Sequence, residues 1–122
     1  MGRVIHFEIP ADDPERAINF YSKSFDWKIN SWGGPEDYWL IETGDPEEPG
    51  IDGAITKRAT MVTTVTNTID VLSLEDAMKA VKENGGQVVT EKMTVPFVGY
   101  MAYCRDTEGN LFGIMQSDPS AK

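Results

Sequence analysis

The sequence predicts an α+β fold in which two βαβββ modules form a curved mixed sheet around a cleft. Three observations support this prediction: a helix signal in each half, β-rich runs between the helices, and an internal repeat. The predicted helix caps Asp13 and Ser73 lie 60 residues apart, and the same constant offset relates Tyr21 to Val81 and residues 51–55 to residues 111–115. The 122 residues are therefore interpreted as one domain, 1–122, with internal modules at 1–59 and 60–118.

The first module is predicted from local signals. Alternating apolar residues predict a strand over 4–9, and Asp13 followed by Pro14 predicts a helix start. Apolar residues at helical spacing continue to Phe25, and Asp26 is a residue type that tolerates the left-handed backbone of a helix end. The remaining strands of this module are predicted at 27–32, 38–43 and 51–58.

The second module repeats the pattern. A Thr- and Val-rich run predicts a strand over 60–71, Ser73 predicts a second helix cap, and Gly85 and Gly86 end that helix. Further strands are predicted at 87–95, 99–105 and 110–116. The tail after residue 116 is predicted to be frayed.

Composition excludes several classes of protein. The formal charge of −9 disfavours binding to nucleic acid or to an anionic membrane surface. No apolar run approaches the roughly 18 residues of a membrane span, and no signal peptide is recognised. Cys104 is the only cysteine, which excludes an internal disulfide and a thiolate metal cluster. A cytoplasmic location is expected.

Two segments carry a family resemblance. The stretch from His6 to Ile29 and the closing DTEGNLFGIMQ resemble the vicinal oxygen chelate superfamily, which includes glyoxalase I, extradiol dioxygenases and the bleomycin and fosfomycin resistance proteins. Within it, the chain is most similar to the small glyoxalase-related proteins. The resemblance implies the duplicated fold and a homodimer, but it does not specify a reaction because one fold supports many functions.

The resemblance also implies where a metal would lie. In the enzymes of the superfamily, the first and last strands of each module each supply one ligand to a divalent metal. These positions fall on His6, Gly53, Thr66 and Gly113. Because a catalytic site normally needs about three strong protein ligands and only His6 qualifies, no metal cofactor is expected. The alternative is a divalent metal such as Zn, Ni, Mn or Fe, held through His6.

Several residues are candidates for the site. His6 and Glu8 share one strand face and are predicted to form a catalytic pair in which Glu8 raises the imidazole pKa; the alternative is a structural histidine beside a solvated carboxylate. Gly53 and Gly113 leave room for a ligand or allow sheet curvature. Asp52 is expected on the opposite face. Thr66 offers a hydroxyl. Six aromatic residues are candidates for a pocket, an interface or the core, with Trp39 and Tyr100 singled out: Trp32, Tyr38, Trp39, Phe97, Tyr100 and Tyr103.

Two functions remain open at this point. The first is a glyoxalase-related protein that binds a small molecule in the inter-module cleft without the complete metal site of the family. The second is a variant metal-dependent lyase, isomerase or dioxygenase-type enzyme that uses His6 and Glu8. The expected partners are a small-molecule ligand and a second copy of the chain, with no nucleic acid and no membrane.

Overall fold

The computed structural model describes residues 2–59 and 61–122. The chain divides into two compact units, residues 6–66 and residues 1–5 together with 67–122. Each unit contains one helix that packs on one face of its strands. The α+β class and the two strand–helix–strand modules are therefore confirmed.

The first unit contains four strands and one helix. Its elements are β1 (Val4–Ala11, of which His6 onwards belongs to this unit), α1 (Pro14–Phe25), β2 (Lys28–Ser31), β3 (Tyr38–Glu42) and β4 (Asp52–Lys57). The strand order is β2-β3-β4-β1. The β1–β4 pair is parallel, and the other two pairs are antiparallel. A helical crossover joins β1 to the rest of the sheet, as a parallel pair requires.

Both ends of α1 are fixed by the residues that the sequence indicated. The Asp13 side chain accepts a hydrogen bond from the backbone N–H of Arg16 at 3.2 Å, and Pro14 occupies the first turn. Asp26 adopts a left-handed backbone with φ of 62°, and its N–H donates to the Ser22 carbonyl. The predicted conformation of Asp26 is therefore confirmed, and the helix can turn directly into β2.

The second unit follows the same plan with one more strand. Its elements are β5 (Thr66–Asp70, of which Asn67 onwards belongs to this unit), α2 (Leu74–Glu83), β6 (Gln87–Val88), β7 (Met93–Val95), β8 (Gly99–Arg105) and β9 (Leu111–Ser117). The strand order is β5-β9-β8-β6, and β7 also pairs with β8. Ser73 caps α2 by accepting from the Asp76 N–H at 3.2 Å. Leu74, the first residue of α2, is fully buried in the core of this unit.

The strand predicted over residues 87–95 is interrupted. The N–H groups of Val89 and Thr90 both donate to the Tyr103 carbonyl, at 2.8 and 3.3 Å. The Thr90 hydroxyl also accepts from the Tyr103 N–H at 3.0 Å. Two residues therefore oppose one, which is the arrangement of a β-bulge. This irregularity divides the predicted strand into β6 and β7.

Two other expectations are wrong at the level of local structure. The strand predicted over residues 60–71 is shorter, and residues 61–65 lie outside any strand. In that segment the Thr63 carbonyl accepts a hydrogen bond from the Arg58 side chain at 2.7 Å. Residue 60 lies outside the described residues. The tail is also not frayed: Ala121 is fully buried, and its carbonyl accepts from the Phe97 N–H at 2.8 Å.

The internal repeat changes its offset between the first and last strands of the units. Ile9 pairs with Ile55 in the first unit, and Ile69 pairs with Ile114 in the second. Ile69 lies 60 residues after Ile9, whereas Ile114 lies only 59 residues after Ile55. The predicted constant offset is therefore wrong. In register, the equivalent of Gly113 is Ala54, not Gly53.

Side-chain volume explains this shift. Phe7 pairs with Gly53 in the first unit, whereas Asn67 pairs with Phe112 at the equivalent place in the second. In each pair one strand contributes a large ring and the other a small residue, with the roles exchanged. A side chain at Gly53 has no room, because its Cβ would lie 2.5 Å from the Phe7 carbonyl oxygen and 2.6 Å from the ring.

The two glycines should therefore respond differently to the same substitution. Gly53→Ala places a methyl group against the backbone of Phe7, and we expect a loss of about 1–3 kcal/mol in the free energy of unfolding. In Gly113→Ala the nearest atoms to the new methyl group belong to side chains: the Thr68 hydroxyl at 3.1 Å, the Thr68 methyl at 3.6 Å and the end of Met101 at 3.7 Å. The lower backbone entropy of alanine offsets that contact by about 0.5–1 kcal/mol, so the net change should be small. Urea unfolding of both variants measures the contrast, and equal losses would contradict the register.

Candidate functional site

The first unit has one covered face and one helix-free face. Alternation along a strand places Phe7, Ile9 and Ile55 on the face covered by α1, where they join the core. The residues between them point to the other face of the same sheet. This helix-free face carries five polar residues: His6, Glu8, Tyr38, Asp52 and Thr56.

A hydrogen bond joins His6 and Tyr38 across this face. The His6 Nε2 lies 2.8 Å from the Tyr38 hydroxyl oxygen, and the two rings are nearly parallel, 6.5 Å apart. Both side chains are half-buried. Glu8 lies on the same face and is buried, with only 5% of its surface exposed. The alternative in which Glu8 is a solvated surface carboxylate is therefore wrong.

Burial controls the protonation of His6. Desolvation lowers the pKa of the imidazole below its ordinary value, because the charged form loses water. The negative charges of Glu8 and Asp52 raise the pKa, but by less. The effect predicted for Glu8 is present and is outweighed by burial. The ring is therefore neutral at pH 7, with one nitrogen that donates and one that accepts.

Asp52 lies beside His6, contrary to expectation. The parallel register pairs His6 with Asp52, and paired residues of adjacent strands point to the same face. The expectation that Asp52 points to the opposite face is therefore wrong. Its carboxylate accepts a hydrogen bond from the Thr43 backbone N–H at 2.9 Å. The Thr43 hydroxyl lies 3.2 Å from the same oxygen and donates at the shorter distance of 2.7 Å to the Ile51 carbonyl.

Two of the predicted ligand-binding residues of the first unit lie on its covered face. Gly53 lies beneath the Phe7 ring, so the close approach that requires glycine comes from the chain itself. Trp39 packs against the core under α1. Neither residue shares a face with His6. Thr66 is fully buried, and its hydroxyl donates to the Thr64 carbonyl at 2.9 Å.

The second unit separates its two candidates by face. Tyr100 packs against the core under α2, with the Lys92 ammonium 5.1 Å from its ring centre. Gly113 lies on the other face, beside Thr68 and Met101. Tyr103 pairs with Gly113 in the β8–β9 register and so shares its face. The structure therefore does not bring Tyr100 and Gly113 together.

Sequence reasoning missed the residue that contacts His6. Tyr38 appeared only within a general group of aromatic residues, and Trp39 beside it was preferred. The alternation of β3 contains the missing signal, because residues of a strand that lie two apart share a face. Ile41 is buried, which assigns Trp39 to the covered face and Tyr38 to the helix-free face.

The residues present do not fit the metal centre of the family. Within residues 2–59 and 61–122, no three side chains of His, Cys, Asp or Glu lie close enough to hold a metal ion. Two of the four carried-over positions, Gly53 and Gly113, have no donor side chain, and the His6 Nε2 already contacts Tyr38. No chemical step is therefore assigned to a metal, and the absence of a cofactor stays a prediction.

Two clefts of about 170 and 380 Å³ occur in the first unit, one in the loop at residues 43–52 and one beside the start of α1. Neither His6 nor Tyr38 lines these clefts.

No helix in the described part of the chain is long and apolar enough to cross a membrane.

The duplicated strand–helix–strand plan defines a class of α+β proteins, and comparison with known proteins identifies the family. The model of the Glyoxalase/Bleomycin resistance protein/Dioxygenase superfamily matches residues 3–114. A glyoxylase-like domain-containing protein from Didymella fabae is 30% identical over 118 residues, which cover 93% of this chain and 92% of that protein. This chain therefore belongs to that superfamily, and the predicted resemblance is confirmed.

Solved structures extend the likeness of fold. A hypothetical protein from Bacillus halodurans has a TM-score of 0.72 at 16% identity and covers 99% of this chain and 98% of its own. A Streptomyces coelicolor methylmalonyl-CoA epimerase, in complex with 2-nitronate-propionyl-CoA, has a TM-score of 0.73 at 12% identity. That match covers 100% of this chain and 99% of the epimerase. At these identities the likeness shows the fold alone.

The lowered pKa of His6 predicts a pH dependence of stability. In the unfolded chain the imidazole titrates near its ordinary value of about 6.5, so between that value and the lower folded pKa the unfolded chain binds more protons. The contribution of His6 is therefore fully present above about pH 6.5 and is lost as the pH falls to the folded pKa. Denaturant unfolding of the native protein and His6→Gln across this range measures the effect. Parallel curves for the two proteins would contradict the assignment.

Proposed function

We propose that this chain binds a small, uncharged molecule on the helix-free face of its first unit, without a metal ion. The observation that carries the proposal is the 2.8 Å hydrogen bond between the His6 Nε2 and the Tyr38 hydroxyl. It places an imidazole and a phenol hydroxyl, each able to donate or accept a hydrogen bond, on a half-buried surface. Glu8 and Asp52, which lie on the same face, disfavour a negatively charged ligand.

The chemistry of this pair suits a ligand oxygen. A neutral imidazole has one donor and one acceptor nitrogen, and a phenol hydroxyl can both donate and accept a hydrogen bond. The pair therefore offers a ligand carbonyl or hydroxyl oxygen a matching polar partner in either imidazole tautomer. Trp32 meets Tyr38 edge to face at 5.8 Å and provides an apolar wall beside it. The ligand class is therefore a small neutral molecule with an oxygen substituent and a flat apolar body.

Catechol, phenol and hydroxyacetone test this proposal, with benzoate as the charged comparison. We expect at least one neutral probe to shift the side-chain NMR signals of His6, which are unambiguous because the chain has a single histidine. Tyr38→Phe should weaken that binding about tenfold, since one hydrogen bond is worth roughly 1–1.5 kcal/mol.

Tyr100→Phe makes the same chemical change on a covered face and should leave the affinity unchanged. The proposal would be refuted if Tyr38→Phe bound the probe with unchanged affinity, or if none of the three neutral probes bound to the native protein.

A second function is favoured by a separate observation. Glu8 is buried on the same face as a neutral imidazole, and this combination suits His6 as a general base that removes a proton next to a carbonyl group. The alternative is thus a lyase or isomerase type of enzyme, with or without a divalent metal bound through His6. The epimerases of similar fold suggest methylmalonyl-CoA as one compound to test.

Two measurements separate the alternatives. We expect the chain not to exchange the α-proton of methylmalonyl-CoA in D₂O, and to retain far less than one equivalent of Zn, Ni, Mn or Fe after metal loading and dialysis. Exchange, or stoichiometric metal, that disappears in His6→Ala would instead establish the enzymatic alternative. The homodimer implied by the family stays a prediction, which sedimentation equilibrium can check.

A further inference from the structure

The connection between β2 and β3 is built around one indole ring. The backbone N–H of Trp32 donates to the Tyr38 carbonyl at 3.1 Å and closes the connection at its base. The indole Nε1–H of the same residue donates to the Glu36 carbonyl, also at 3.1 Å. The Trp32 ring is therefore fixed by its own loop. It meets the Tyr38 ring edge to face, with an angle of 71° between the two ring planes.

Glycine is required where this loop passes over the indole. A Cβ atom at Gly34 would collide with the Trp32 ring, so the backbone can approach the ring only without a side chain. Gly33 has a φ of 88°, in the left-handed region that favours glycine. Gly33 and Gly34 therefore do more than allow the chain to change direction: they also let the loop backbone pack against the Trp32 ring.

We propose that Trp32 is a positioning residue that holds the Tyr38 hydroxyl on the His6 Nε2. Tyr38 is the first residue of β3, and its long side chain reaches across the sheet to His6. Trp32 packs against the Tyr38 ring by an edge-to-face contact, and the Nε1–H bond to Glu36 keeps the indole in place.

The inference rests on the proposed function only for its consequence, which is that a ligand meets a preorganised hydroxyl. Its test needs no ligand. The ¹⁵N signals of the single histidine report the hydrogen bond at Nε2 directly, and measurement at pH 8 keeps the imidazole neutral. A refuted ligand proposal and a refuted role for Trp32 are therefore separate results.

The test compares Trp32→Ala, Trp32→Phe and Gly34→Ala with the native protein. In Trp32→Ala and Gly34→Ala, we expect the Nε2 signal to move to the value found in Tyr38→Phe, where the hydroxyl is missing. Trp32→Phe keeps an aromatic contact but loses the Nε1–H donor, so its signal should lie between the two. Adding Trp32→Ala to Tyr38→Phe should cause no further shift, because the bond is already absent.

Trp27→Phe is the matched control. Trp27 stacks on Tyr21 at 4.9 Å on the α1 side of the sheet, so this variant removes an indole without changing the loop at residues 32–37. It should lower the melting temperature and leave the Nε2 signal unchanged. If Gly34→Ala and Trp32→Phe fold cooperatively and keep the native Nε2 signal, the positioning role is wrong. These two variants decide the test even if Trp32→Ala does not fold.

Discussion

The contact between the Phe7 ring and Gly53 is the constraint on which the first unit depends. The ring lies over the bare backbone of Gly53, and the parallel register of β1 and β4 allows no side chain at that position. A shift by one residue would exchange the two faces of the strand. It would bury His6 and Glu8 under α1 and expose the apolar residues that now form the core. The position of the polar residues on the helix-free face therefore follows from one tight packing contact.

The second unit solves the same packing problem in the opposite sense. There the large ring is Phe112 on the last strand, and the small partner is Asn67 on the first. The helix-free faces differ more than the cores do. In the first unit the helix-free face carries an imidazole, a phenol and carboxylates, whereas in the second it carries Met93, Met101 and Met115 in one cross-strand row. Duplication thus preserved the scaffold while the surface chemistry of the two modules diverged.

The protonation of His6 on the helix-free face follows from a competition between burial and charge. Two carboxylates near His6 would by themselves favour its protonated form, yet the loss of water has the larger effect and keeps the ring neutral. A neutral imidazole that contacts a phenol is a reversible donor and acceptor pair. This pair is suited to hold an uncharged oxygen, and it is the chemical basis of the proposed function.

Local sequence determined the elements whose causes lie within a few neighbouring residues. The cap at Asp13, the left-handed turn at Asp26 and the cap at Ser73 depend on side chains that bond to nearby backbone, so their positions are readable from the chain alone. The family could also be recognised, because its motifs are contiguous. Only the tertiary structure decided the register between strands that are distant in sequence, since that register depends on which side chains fit together across the sheet. It placed Asp52 beside His6, paired Gly53 with Phe7, and brought the Tyr38 hydroxyl to the imidazole over 32 residues of chain.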